Sequence, residues 1–94
     1  MYSIEFTTSS KKDLKNIDKS NQLFIKNSLF EFIKNFSSEY ELSLIHRGKI
    51  KKLQGQKEIL YRLRLRSYRV IYKKEEEKLI ILIIHITTRE GAYK

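Results

Sequence analysis

Tyr2, Ile4 and Phe6 alternate with Ser3, Glu5 and Thr7, the period of two that lets a strand bury one face. Thr7 to Ser10 interrupt the pattern with short hydroxyl side chains. Ser10-Lys11-Lys12-Asp13 fits a capping box, in which a hydroxyl accepts an amide hydrogen that the first helical turn leaves without a partner. Leu14 and Ile17, three apart, predict a short helix, and Asp18-Lys19-Ser20-Asn21 offers a second cap. Beyond it Ile25, Leu29, Phe32, Ile33 and Phe36 recur at helical spacing. That stripe predicts an amphipathic helix over 21–36 with these side chains in the core.

Residues 37–58 are polar and basic, anchored only by Leu42, Leu44, Ile45, Ile50 and Leu53. No Pro or Gly cluster marks a boundary there, and the segment reads as a long loop that has room for a short strand or helical turn. The period of two then returns. Ile59, Tyr61, Leu63 and Leu65 alternate with Leu60, Arg62, Arg64 and Arg66. A break at Arg66-Ser67 leads into Tyr68 to Lys73, Glu75-Glu76-Glu77 mark another turn, and Leu79 to Ile86 are apolar on both faces. Three consecutive strands of this kind predict an antiparallel meander whose last member is central and covered on both sides. The order β-α-α-β-β-β makes an α+β domain, two helices packed on one face of an antiparallel sheet.

Length and composition narrow the possibilities. The 94 residues fit one domain spanning 1–94. Charged residues make up 33% and apolar ones 40%, charge-rich but enough for one core. There is no Cys, which excludes disulfide scaffolds and thiolate metal sites, and His46 and His85 alone do not make a zinc site. No signal peptide opens the sequence, and its longest apolar run is far shorter than a membrane span. A cytoplasmic protein without a membrane partner is the expectation.

The formal charge of +9 is unevenly held. Residues 1–50 carry 8 basic and 6 acidic side chains, residues 51–94 carry 12 and 5. Such an excess is either a solvated surface or the footprint of a polyanion binder. The arrangement of the arginines favours the second. At two-residue spacing on a strand, Arg62, Arg64 and Arg66 emerge on one face about 7 Å apart, a row that repels itself unless an anion joins it. Arg69 and Arg89 can converge on the same region, and Lys49, Lys51, Lys52 and Lys57 make the preceding loop basic. There is no Gly-rich phosphate loop, no HExxH and no nucleophile–base frame. His85 reads as a core or sheet-face histidine or, alternatively, as a base; His46 reads as surface.

Tyr61-Arg62-Leu63-Arg64-Leu65-Arg66-Ser67-Tyr68-Arg69-Val70-Ile71-Tyr72 resembles the central hairpin of the RelE/ParE superfamily of bacterial toxins. Lys52-Leu53-Gln54-Gly55 resembles that family's Lys-Leu-x-Gly loop, and Ile83 to Tyr93 its last strand with the Arg- and Tyr-bearing segment that follows. The resemblance covers nearly the whole chain. For RelE-like members it implies a metal-independent, cofactor-free endoribonuclease that cuts mRNA in the ribosomal A site, the 2′-hydroxyl attacking the adjacent phosphate. Such chemistry needs a base, positive charge for the developing dianion and a proton for the leaving oxygen.

Carried over position by position, the resemblance puts Arg62, Arg64, Arg69, Arg89 and Tyr93 in the catalytic site, with Lys49, Lys51, Lys52, Lys57 and Arg66 on the RNA or ribosome. Relatives often have Lys where this chain has Arg62 and Arg64. Arg keeps its proton at neutral pH, so Arg64 is expected to stabilise charge, leaving His85, Tyr93 or ribosomal RNA as the base. The resemblance also implies an acidic antitoxin, RelB-like or similar, as partner. Two other functions fit the same fold: a ParE-like poison of DNA gyrase and a non-enzymatic RNA-binding domain.

Overall fold

Two faces of a sheet are set by the alternation of Tyr61, Leu63 and Leu65, all buried, with Arg62 and Arg64, which are not. The computed structural model describes residues 1–53 and 57–88. Its elements are β1 (Ser3–Phe6), α1 (Thr8–Lys15), α2 (Lys19–Lys34), α3 (Ser38–His46), β2 (Ile50–Lys52), β3 (Tyr61–Leu65), β4 (Tyr68–Glu75) and β5 (Ile80–Thr88). The strands form one sheet in the order β1-β5-β4-β3-β2, with β1 parallel to β5 and the other neighbours antiparallel. The α+β class and the meander agree with the sequence reading. The helix α3 and the strand β2 occupy much of what reads as loop.

Each helix starts at a side chain that satisfies a free amide. The Thr7 hydroxyl accepts from Ser10 N at 3.1 Å, while Ser10 Oγ donates back to Thr7 O at 2.9 Å. The α1 cap is therefore Thr7, three residues before the expected Ser10, and Ser10 is fully buried. Asp18 caps α2 as expected, accepting from Asn21 Nδ2 at 2.8 Å and from Asn21 N at 3.2 Å, and these two hydrogen bonds, the side-chain one foremost, hold its carboxyl below the usual value. Ser37 caps α3, accepting from Tyr40 N, with Glu39 and Glu41 in the first turn where the helix dipole favours negative charge. Gly48, at φ +75°, lets the chain leave α3 in the left-handed conformation that costs other residues more.

One core lies between the helices and one sheet face. Leu14, Ile25, Leu29, Phe32 and Leu44 from the helices meet Leu63, Leu65, Val70, Tyr72, Ile81, Ile83 and Ile86 from the sheet. Phe32 stands edge-on to both Phe36 and Tyr72. Ile33, on the predicted stripe, is only partly buried. Ile59, expected in the strand, precedes β3 and is exposed. The middle strand is β4 rather than β5, and β5 is not covered on both sides. Its Ile80, Leu82 and Ile84 are only half-buried on the face away from the helices.

A buried polar link ties α3 to β4. The Tyr72 phenol donates to Glu41 Oε2 at 2.6 Å and the Lys74 ammonium to Oε1 at 2.7 Å. Burial, then the hydrogen bond and charge of Glu41, hold the Tyr72 phenol far above its ordinary pKa, so it remains a donor. Burial alone lowers the Lys74 pKa; its hydrogen bond and attraction to Glu41 outweigh that and leave it raised. The link fixes α3, and with it the start of β2, against the sheet.

Candidate functional site

The sheet face opposite the helices carries the basic residues in two cross-strand rows. Paired residues of neighbouring strands share a face. Lys51 pairs with Arg62, Arg62 with Ile71, and Ile71 with His85, which sets these four side chains across β2, β3, β4 and β5. In the second row Arg64 pairs with Arg69 and Arg69 with Thr87. Arg64 N also donates to Lys49 O at 2.9 Å, bringing the residue before β2 to the end of this row.

The β3–β4 turn is built around Arg66 at φ +56°, a conformation uncommon outside glycine. Its guanidinium lies 3.6 Å over the centre of the Phe24 ring, a cation–π contact that holds the turn against α2. Two open, polar depressions flank this turn. One, of about 430 Å³, is lined by Arg64, Arg66, Ser67 and Arg69; the other, of about 340 Å³, by Arg47, Lys49, Arg64 and Arg66. Among the described residues, no acidic side chain forms an ion pair with Arg62, Arg64 or Arg66. Arg69 is only 5% exposed, and a guanidinium held that deep is aimed rather than free to sweep through solvent.

The other end of the same face is neutralised. Lys73 pairs with Glu58 at 3.1 Å, and Lys78 approaches Glu75 at 3.9 Å. Positive charge therefore accumulates toward the Arg66 turn. A track of converging arginines and lysines beside an open sheet can hold a phosphodiester backbone and stabilise charge developing on one phosphate.

The expected residues divide into three groups. The open face and its turn bring together Lys49, Lys51, Arg62, Arg64, Arg66, Arg69 and His85. Lys52 pairs with Tyr61, so the alternation of β2 sets it on the helix-facing side of the sheet, away from the row. Lys57 is exposed before β3 and lines neither depression. Arg89 and Tyr93 lie outside the described residues. Two participants escaped the sequence reading: Arg47, the C-cap of α3, and Asp13 of α1, whose Oδ2 lies 3.5 Å from His85 Nδ1. Neither belongs to the hairpin motif, and only the packing of helix ends against the sheet reveals them. Among the described residues no three His, Cys, Asp or Glu side chains gather as a metal-ligand group, and no helix is long and apolar enough to cross a membrane.

Known proteins share this architecture. The archaeal RelE–RelB complex from Pyrococcus horikoshii OT3 matches with a TM-score of 0.68 and 26% identity, over 94% of this chain and 94% of that one. The intact RelBE toxin–antitoxin complex of E. coli matches at 0.67 and 22%, over 94% and 96%. YafQ from E. coli strain BL21(DE3) matches at 0.71 and 18%, over the whole of both chains. No curated protein sequence matches significantly. The family described as the ParE toxin of the parDE type II toxin–antitoxin system matches residues 4–93. With nearly every residue inside that match and the sheet and helices of the RelE structures around its core, the chain belongs to the ParE toxin family, a type II toxin on the RelE/ParE fold.

Proposed function

We propose that this toxin is a ribosome-dependent endoribonuclease that cuts mRNA in the ribosomal A site and so stops translation in the cytoplasm. The observation that carries the reading is the shared face of Lys51, Arg62, Arg64, Arg69 and His85, which joins a phosphate-binding track to a side chain able to move a proton. In this reading Arg64 and Arg69 stabilise the charge that develops on the scissile phosphate. Lys49, Lys51 and Arg66, joined by Arg47, dock the RNA backbone. Arg62 lies between the two tasks. Arg89 and Tyr93, by the resemblance of the segment after β5, complete the site on phosphate and base. The enzyme works as a single domain without metal or cofactor.

An acidic antitoxin holds the protein when it is silent. The charge of +9 calls for an acidic partner, and relatives of this fold are found in complex with the antitoxin RelB. An apolar depression of about 610 Å³ between α2, α3 and β3, walled by Phe24, Phe32, Tyr40 and Leu44 and edged by Lys49 and Arg66, suits the apolar face of an acidic helix.

The family match to ParE favours a second reading, a gyrase poison without nuclease chemistry. One experiment separates them. A defined message is translated in a purified system with and without the protein and mapped by primer extension. Cuts inside A-site codons that require the ribosome support the nuclease. An uncut message together with arrested gyrase supercoiling assigns the second function.

A further inference from the structure

Beyond the end of β1, the edge of β5 is finished by α1 rather than by another strand. The Ile86 amide, left without a ladder partner, donates to Asp13 Oδ2 at 3.0 Å. The same carboxylate oxygen lies 3.5 Å from His85 Nδ1. Asp13 is thus held by a backbone bond in a place from which it faces the imidazole.

His85 reaches that position because β5 is bulged. Tyr72 pairs with Ile83 and Ile71 with His85, so Ile84 is passed over. Unbroken alternation after Ile81 and Ile83 would carry His85 into the core. The extra residue turns it onto the open face and returns Ile86 to the core, where it is 3% exposed. Thr7 secures the bulge on both sides, its N donating to Ile83 O at 3.0 Å and its hydroxyl to Ile84 O at 3.0 Å. Three contacts from the β1–α1 segment thus serve to present one histidine. Its side chain is 53% exposed, and its cross-strand neighbour Ile71 stands between it and Arg62. Arg69 lies diagonally from it through Thr87, at roughly 7–8 Å by sheet geometry.

We propose that Asp13 and His85 act as a carboxylate–imidazole pair, with His85 the general base of cleavage and Asp13 its positioning residue. This rests on the nuclease reading above. With Nδ1 facing the carboxylate at 3.5 Å, the tautomer that carries its proton there leaves Nε2 as the free acceptor. It takes the proton of the 2′-hydroxyl as the O2′–P bond forms. The P–O5′ bond breaks with its electron pair on the 5′-oxygen, which takes a proton from solvent. The products are a 2′,3′-cyclic phosphate and a 5′-hydroxyl, and His85 returns its proton to water. Asp13 holds the ring in the productive tautomer and balances the transient imidazolium.

The test is a double-mutant cycle read as single-turnover cleavage on programmed ribosomes. Asp13→Asn keeps an oxygen for the Ile86 amide but removes the charge. It should melt with the parent and cut about 10-fold more slowly at saturation, with ribosome affinity unchanged. His85→Ala should lose on the order of 10²-fold in rate and regain part of it in added imidazole. The double variant should be no slower than His85→Ala alone, because Asp13 acts through the ring. If His85→Ala cuts at the parental rate, the base is elsewhere. If the two losses multiply, Asp13 does not work through His85. A parent protein that leaves the message uncut overturns the nuclease reading itself and the pair with it, a result seen before any variant is compared.

Discussion

Arg64 of β3 stands directly opposite Arg69 of β4 on the open face of the sheet. Like charges in that relation weaken a strand pair by a few tenths of a kcal/mol to about 1 kcal/mol. Arg64 forms no ion pair with an acidic side chain among the described residues, so an anion bound on this face can join it during function. Arg64→Thr should therefore stabilise the isolated toxin by about 0.5 kcal/mol, since Thr also suits a strand. Urea unfolding at low and high salt checks it: the gain should shrink as salt screens the repulsion. The same variant should bind polyanions more weakly. A loss of stability would mean that Arg64 is anchored rather than opposed.

The link between Glu41, Tyr72 and Lys74 should behave as a unit. Glu41→Leu strands a buried phenol and a mostly buried ammonium and should cost about 3 kcal/mol in equilibrium unfolding. Replacing all three groups, with Lys74→Met and Tyr72→Phe added, should recover most of that loss. The link also sets an alkaline limit. Tyr72 and Lys74 both hold their protons more tightly when folded than the ordinary values of 10.0 and 10.5. Their contribution is fully present below those values and is lost as the pH rises past them toward the folded pKa of Lys74. Melting temperature against pH should fall on that limb in the parent and flatten in the triple variant.

Asp18 gives the opposite limb. Its carboxylate, held below the ordinary 3.8 by hydrogen bonds from Asn21, caps α2 more strongly when ionised. The stabilisation is present above that ordinary value and lost as the pH falls through the lower folded one. Asp18→Ala should lower the melting temperature at neutral pH and lower it less at about pH 2, because the parent's cap loses its charge as the pH falls through its lowered folded value. An equal drop at both values would mean that the cap acts without its charge.

The strands and the long helix were legible because each repeats one pattern over several residues. Phe32 falls on the stripe and is 4% exposed; Ile33, its neighbour on the same stripe, is only partly covered. Phe32→Ala should accordingly cost about 3–5 kcal/mol in urea unfolding, and Ile33→Ala clearly less. The helix α3 was not legible as a periodic element. It buries one apolar residue fully, Leu44, and its other buried residue is the charged Glu41, so no stripe forms. Its cap at Ser37, with Glu39 and Glu41 in the first turn, was the available signal. The arginine row could be read from β3 alone, whereas Arg47 and Asp13 come from helices distant in the chain. The turn of His85 onto the open face depends on a bulge that alternation cannot announce.

Strand register also separates two adjacent lysines that the sequence treats alike. Lys51 pairs with Arg62 and extends the basic row, while Lys52 pairs with Tyr61 on the other side of the sheet. A phosphate contact contributes through released counterions, so its loss weakens binding and flattens the dependence on salt. Lys51→Ala should lower affinity for programmed ribosomes and reduce the slope of log affinity against log salt by about 1. Lys52→Ala, which removes a cation from the wrong face, should change neither by much. Both variants should cut at the parental rate once saturated, because neither lysine reaches the reacting phosphate in this reading. Binding titrations at several salt concentrations decide it. If the two substitutions flatten the slope equally, the RNA wraps the β2 edge instead of crossing the open face.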